Sequence, residues 1–323
     1  MHKLFAVLVV LFATAAPDVV LAQDKWPSRT IRLVVPFAPG GNTDAVARIT
    51  AEHLQKALGV SIVIDNRGGA GGIIGADAVA KAAPDGYTFC MCSIGAITIA
   101  SATEKLPYDP LKDLAPVSLV TTNPLVLLVN PSLGVKSLAE FQALARRKPD
   151  GLNYSSSGVG GLMYFSAELF KARTGLKLTH VPYRGGAPAT AAVISGEVEA
   201  VFTNMSDAVG QIEGGTLIPL AVTTAKRSPA APNISTLAEQ GLQGFHTESW
   251  NALMGPKGTP KEIADRLADA IRQMVADPDV QRKMSSIGSV AVSNTPGEFA
   301  KQLQDETLQW ADLVKQLGSD GKK

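Results

Sequence analysis

The sequence predicts an α/β protein of two lobes, and three observations carry that prediction. Apolar, β-branched runs alternate along the chain with segments of helical period. Glycine-rich stretches stand repeatedly where such a run ends and a helix begins. Two extended runs, 117–129 and 217–224, lie where a chain passing from one lobe to the other and back would cross. With 46% hydrophobic and 18% charged residues, the composition is that of a packed protein and not a disordered one. A length of about 300 residues beyond the leader suits two domains better than one.

The leader comes first. Met1, His2 and Lys3 precede an uncharged apolar run, Leu4–Ala16, and Val20-Leu21-Ala22 offers the compact residues a signal peptidase reads. Residues 1–22 are expected to be a secretory signal peptide, cut after Ala22. The apolar run is shorter than the ~20 residues of a spanning helix. No cysteine follows the cut, which argues against a lipid anchor.

Strands are expected at Ile31–Val35, Ser61–Asp65, Tyr87–Cys92, Leu125–Val129, Leu152–Ser155, Leu178–Val181 and Ala200–Thr203. Helices fit between them at Asp44–Ala57, Gly72–Ala82, Leu138–Arg147, Met163–Thr174 and Ala187–Ser195. Strict alternation argues for parallel sheets with helices on both faces. Four capping boxes mark helix starts, at Ser137–Glu140, Thr236–Glu239, Thr259–Glu262 and Thr295–Glu298. Val117–Val129 follows the proline-marked loop LPYDPLKDLAP and reads as the first crossing; Leu217–Thr224 reads as the return. The lobes are therefore expected at 23–122 with 226–323, and at 123–225, with a hinge of two crossing strands.

Net charge is +1 with both signs mixed along the chain, which argues against a nucleic-acid binder. Cys90 and Cys92 are the two cysteines. Residues two apart on a strand have Cα atoms ~6.5–7 Å apart, more than a disulfide usually spans. They read as two small buried apolar residues and not as a redox pair. The CxC spacing with no nearby histidine gives no support for a metal, and no cofactor is expected.

Parallel α/β sheets bind ligands beyond the carboxyl ends of their strands, so the strand-to-helix loops are the candidate site. In the first, Ala38-Pro39-Gly40-Gly41, glycine supplies backbone freedom, Asn42 or Thr43 is placed to cap a helix starting near Asp44, and the first helical turn offers unpaired N–H groups to an anion. The second, NRGGAGGIIGA, contains Gly71 and Gly72; the third contributes Ser93 and Gly95. Ser155, Ser156, Ser157, Gly158 and Gly160 form a fourth; Tyr183, Arg184 and Gly185 a fifth; Asn204 and Asp207 a sixth. Arg184 either adds positive charge to the cleft or is a solvated surface residue. No GxSxG, Walker or GxGxxG pattern is present, the histidines show no ligand spacing, and His180 reads as structural. A cleft rich in N–H and hydroxyl groups and poor in acids and bases suits capture better than chemistry.

At these loops the chain resembles a known family. WPSRTIRLVVPFAPGGNTDAVAR, VIDNRGGAGGIIGADAVAKAAPDGYT, LPYDPLKDLAPVSLV, HVPYRGGAPA, LAVTTAKRSPAAPNISTLAEQG and WNALMGPKGTP together resemble the Bug-type extracytoplasmic solute receptors of tripartite tricarboxylate transporters. The resemblance implies a periplasmic binding protein, type II-like, whose two α/β lobes close over a small carboxylate. It implies membrane transporter subunits as partners, a monomeric chain and no enzymatic activity. It places the ligand on residues 38–44 of the first loop and on Ser155, Ser156, Ser157, Gly158 and Gly160. Where the family commonly has an Asp-Asn pair this chain has Thr203-Asn204, which argues against an amino-acid ligand unless Asp207 substitutes. The alternatives are an enzyme acting on a carboxylated metabolite on the same scaffold, and a ligand sensor for a signalling system.

Overall fold

The computed structural model describes residues 26–159, 161–183 and 185–320. The expected signal peptide, and with it His2, lies outside these residues, as do Gly160 and Arg184.

The first third alternates as expected: β1 (Ile31–Val35), α1 (Asn42–Leu58), β2 (Ile62–Asn66), α2 (Ile73–Ala80) and β3 (Thr88–Ser93). A π-helical turn, Gly95–Ile99, then runs into the short α3 (Ala100–Thr103). Next comes β4, Leu114–Val129, the longest strand. The middle third repeats the alternation with α4 (Leu138–Arg147), β5 (Leu152–Ser156), α5 (Leu162–Thr174), β6 (Leu178–Pro182), α6 (Gly186–Ile194), β7 (Ala200–Asn204), α7 (Met205–Glu213) and β8 (Ile218–Val222). The last third holds β9 (Glu248–Pro256), α8 (Lys261–Ala276), α9 (Pro278–Ser286), β10 (Val290–Ala291) and α10 (Pro296–Asp320).

Two sheets share β4. In the first, the order is β2-β1-β3-β9-β4, with β10 also on β4; in the second it is β4-β7-β5-β6, with β8 also on β4. Leu114–Pro124 of β4 pairs with β9, and Leu125–Val129 pairs with β7 and β8. The β1/β2, β1/β3, β5/β6 and β5/β7 pairs are parallel, as predicted. Every pair made by β4, and the β3/β9 pair, is antiparallel, so the sheets are mixed and not wholly parallel.

Burial is nearly continuous along β1 because both its faces are covered. Leu33 and Val35 pack in a core with Val46, Leu54, Leu267 and Ile271 from α1 and α8. Val34 faces the opposite core with Ala76 and Val79 of α2. Each such fully buried side chain contributes about 1.5–3 kcal/mol.

Four local expectations are corrected. Cys90 and Cys92 are buried on one face, as expected, but they form a disulfide. Their Cα atoms are 5.2 Å apart, because the strand is contracted there relative to an extended one. The return into the first sheet is made by β9, not by 217–224: β8 pairs with the second half of β4 alone. The box at Thr236–Glu239 forms its reciprocal bonds, both 2.9 Å, yet opens only a turn. That at Thr259–Glu262 does not form, because the Thr259 hydroxyl donates to the Pro256 carbonyl instead.

Candidate functional site

The first three strand-to-helix loops are packed into one cluster. Between β1 and α1, residues 38–41 are exposed. Gly40 has φ +88°, a left-handed conformation that glycine adopts without strain. Its N–H donates to Asp44 Oδ2 at 3.0 Å. Asp44 Oδ1 accepts from Asn66 Nδ2 at 3.0 Å, and the Arg48 guanidinium grips the carboxylate from one turn on. Burial alone would raise the Asp44 pKa, but the hydrogen bonds from Arg48, Gly40 and Asn66, with the Arg48 charge, outweigh it and hold the carboxyl below its ordinary value. Asp44, 3% exposed, therefore fastens the loop.

Asn66 also donates to the Phe37 carbonyl at 3.1 Å, tying the second loop to the first. A Cβ on Gly72 would stand 3.1 Å from both Phe37 Cζ and Ala96 Cβ, and one on Gly95 would come within 3.8 Å of the Gly71 carbonyl oxygen. Ser93 ends β3 opposite Asn251. It is 8% exposed.

The loops of the second sheet form a second cluster. Tyr183 N–H donates to the Ser156 carbonyl at 2.9 Å, and a Cβ on Gly158 would lie 3.8 Å from the Tyr183 carbonyl oxygen. Gly185 (φ +130°) opens α6, and a Cβ on Gly186 would meet Asp207 Oδ2 at 2.9 Å. Burial pushes the Asp207 carboxyl above its ordinary value, opposed by a hydrogen bond from Thr203.

Several expected ligand side chains are committed elsewhere. The Ser155 hydroxyl is fully buried and donates to the Ala189 carbonyl at 2.8 Å. Ser156 Oγ lies 2.6 Å from His180 Nε2 and accepts from Gly158 N–H at 3.1 Å. Tyr183 donates its hydroxyl to Glu197 at 3.0 Å. Thr43 donates to Asn251 Oδ1 at 2.9 Å, and Asn42 Oδ1 accepts from Asn251 Nδ2 at 2.9 Å. Neither Asn42 nor Thr43 caps α1: both lie inside its first turn, and Gly41 is the N-cap. Ser157 and Asn204 stay partly exposed at the ends of β5 and β7.

A pattern separates these helices from the rest. α1, α2, α5, α6 and α7 begin at Gly41, Gly72, Gly161, Gly185 and Asn204, and none has a side-chain cap. By contrast, α4, α9 and α10 are capped by Ser137, Asp277 and Thr295. Among the described residues α8, after Pro260, and the short α3, which continues the π-helical turn, also lack a side-chain cap. Four glycine N-caps leave the first-turn N–H groups open to a ligand while contributing no side chain of their own. Helix dipoles add positive potential at the same points, which suits an anion. Among the described residues, no group of three His, Cys, Asp or Glu is placed to hold a metal ion.

Residues that no motif marked join the clusters. Asn251 of β9 holds the first turn of α1 and also donates to Thr121 Oγ1 of β4 at 3.2 Å. Asn42 Nδ2 donates to Ser289 Oγ at 2.9 Å. Isolated Asn, Ser and Thr carry no periodic signal, so only the folded register reveals their role.

Residues 46–319 match the model of the tripartite tricarboxylate transporter family receptor. The chain belongs to this family. The receptor is 37% identical to Protein BugT of Bordetella pertussis over 99% of its own length and 98% of the relative's. It superposes on an R. palustris protein solved with adipate with a TM-score of 0.84 and 37% identity, covering 91% of this chain and 98% of the other. MatC from Rhodopseudomonas palustris with bound malate gives 0.79 and 34%, covering 90% and 100%. The expected periplasmic-binding-protein fold is thereby borne out.

Proposed function

We propose that this receptor captures a small organic acid, a di- or tricarboxylate or a close relative, in the periplasm and presents it to the membrane subunits of a tripartite tricarboxylate-type transporter. The carrying observation is the set of five helix N-termini without side-chain caps, drawn from both sheets. Adipate and malate in two similar proteins support the ligand class. In this reading the N–H groups of Gly41, Asn42, Thr43 and Gly71, with those of the first turn of α5, replace the water around a carboxylate, each charge-assisted bond contributing roughly 1.5–3 kcal/mol. The side chains of Ser93, Ser157 and Asn204 set its orientation. Ser155, Ser156, Tyr183 and Asp44 support the loops from behind.

The two lobes follow the two sheets, dividing within β4 near Pro124 and again between β8 and β9, and close on the ligand because contacts from both exist only in the closed form. A buried disulfide fits an oxidising compartment, as does the leader expected at 1–22.

Thermal-shift screening against di- and tricarboxylates, acidic amino acids and aromatic acids tests the reading, since a true ligand raises Tm with dose. Gly41→Val is the decisive variant. At Gly41 φ is −84°, and an added Cβ meets nothing within 4 Å, so the apo fold tolerates the change. A side chain there projects into the proposed site, and the ligand response should disappear. A full response in Gly41→Val counts against the first-loop assignment.

One arrangement favours the enzymatic alternative: Ser156 and His180 are paired as a nucleophile and a base would be. Yet Ser156 is fully buried, and its oxygen is enclosed by Gly158. Recovery of unchanged acid after incubation with the purified protein supports capture; turnover abolished by Ser156→Ala supports the enzyme.

A further inference from the structure

Gly288 and Ser289 touch both clusters at once. Gly288 has φ +70° and is pressed on the first turn of α7: a Cβ there would stand 2.5 Å from Ser206 N, 2.6 Å from the Met205 carbonyl carbon and 2.8 Å from Ser206 Cα. All three are main-chain atoms, so no side chain can swing aside. Ser289, 2% exposed, faces the other way. Its hydroxyl accepts from Asn42 Nδ2, in the first turn of α1, and donates to Asn123 Oδ1 of β4 at 2.5 Å. The turn itself is fixed by Gly288 N–H to the Ser285 carbonyl and Ser289 N–H to the Met284 carbonyl, both 2.9 Å. The next residue, Val290, pairs with Thr122 of β4. The Ser206 hydroxyl oxygen beside this contact is buried and has no partner among the described residues.

We propose that the Gly288–Ser289 turn is a spacer: by holding the N-terminus of α1 at a set distance from that of α7, it selects the length of the acid the receptor accepts. The proposal rests on the binding reading above, and it concerns positioning, since neither residue is required to touch the ligand. In the closed form, two N–H clusters at a set separation prefer an anion whose two charged ends match it. An acid with a single carboxylate needs only one of them and is indifferent to the spacing. A side chain at position 288 would push α7 away from α1 and move the preference toward longer acids. Loss of the Ser289 hydroxyl would free α1 from β4 and blur the preference.

The test is calorimetric affinity of the full chain for the α,ω-dicarboxylates from malonate to suberate, with butyrate as the single-ended probe. Gly288→Ala is expected to change the affinity ratio between the best acid and its next longer homologue by about tenfold. Ser289→Ala is expected to change it by about threefold. Butyrate should bind all three proteins alike, which a general loss of structure would not allow. An unchanged ratio in Gly288→Ala overturns the spacer; where that variant does not fold, an unchanged ratio in Ser289→Ala does so. Wild-type protein that binds butyrate but shows no length preference also overturns the spacer and leaves the receptor reading standing. Wild-type protein that binds none of these acids overturns the spacer, and if it binds no tricarboxylate either it overturns the receptor reading as well.

Discussion

The Ser156 hydroxyl lies 2.6 Å from His180 Nε2, and the imidazole it meets is stacked on Tyr154 and flanked by Tyr164, with ring centroids 5.0 and 4.9 Å away. Burial lowers the His180 pKa, and the Lys171 charge adds to this, against an opposing pull from Glu168. The folded protein therefore keeps this ring neutral more readily than the unfolded chain does. Its contribution is fully present above about pH 6.5, the unfolded value, and declines as pH falls toward the lower folded value. Urea midpoints from pH 7.5 to 5 should fall for wild type and fall less for His180→Gln. Ser156→Ala leaves the imidazole without its partner and should cost about 1–3 kcal/mol at pH 7.5.

Asp44→Ala should cost about 3 kcal/mol by chemical denaturation, because it strands Gly40 N–H, Asn66 and Arg48 together. The Asp44 pKa is lowered in the fold, so its stabilisation is present above the unfolded value near 3.8 and lost as pH falls through the lower folded one. Asp44→Asn should flatten the acid limb of the stability curve in that window. Both variants should also weaken acid binding, since loop 38–41 loses its fastening.

Glu306 of α10 accepts from Trp250 Nε1 at 3.0 Å and from Gln302 Nε2 at 2.7 Å, with Thr98 at 3.3 Å. Burial raises its pKa; hydrogen bonds from Gln302, Trp250 and Thr98, and the His246 charge, oppose the shift. A carboxyl raised in this way opposes folding at neutral pH, and the opposition vanishes below the unfolded value near 4.5. Glu306→Gln should therefore be neutral or stabilising at pH 7.5, with the advantage shrinking toward pH 4. A stability loss at pH 7.5 that persists at pH 4 would count against this account.

Thr295→Ala and Ser137→Ala should each cost about 1 kcal/mol, the usual worth of an N-cap. Neither should alter the acid-induced rise in Tm, because both caps belong to helices outside the two loop clusters. A matched loss of ligand response would break the distinction drawn between capped and uncapped helices.

Much of this was legible in the sequence because it is local. Glycine at a strand end, helical spacing after it and a β-branched run before it placed β1, α1, β3, β5 and α5 within a residue or two of their observed bounds. The roles of individual side chains were less legible, because they depend on register. Thr43 looks available in sequence and is engaged by Asn251, 208 positions away. Ser155 and Ser157 are of the same type and two apart, yet Ser155 lies inside β5 with its hydroxyl on the Ala189 carbonyl, while Ser157 stands just past the strand's end. The Cys90–Cys92 bond was hidden by a local contraction of β3 that no spacing rule anticipates.

β4 hydrogen-bonds strands of both sheets without a break, Leu114–Pro124 in one and Leu125–Val129 in the other. Neither half can melt without stripping partners from the strand that the other half also needs. Heating the receptor should therefore give one calorimetric peak, not two, and hydrogen exchange should be slowest along β4 in both halves.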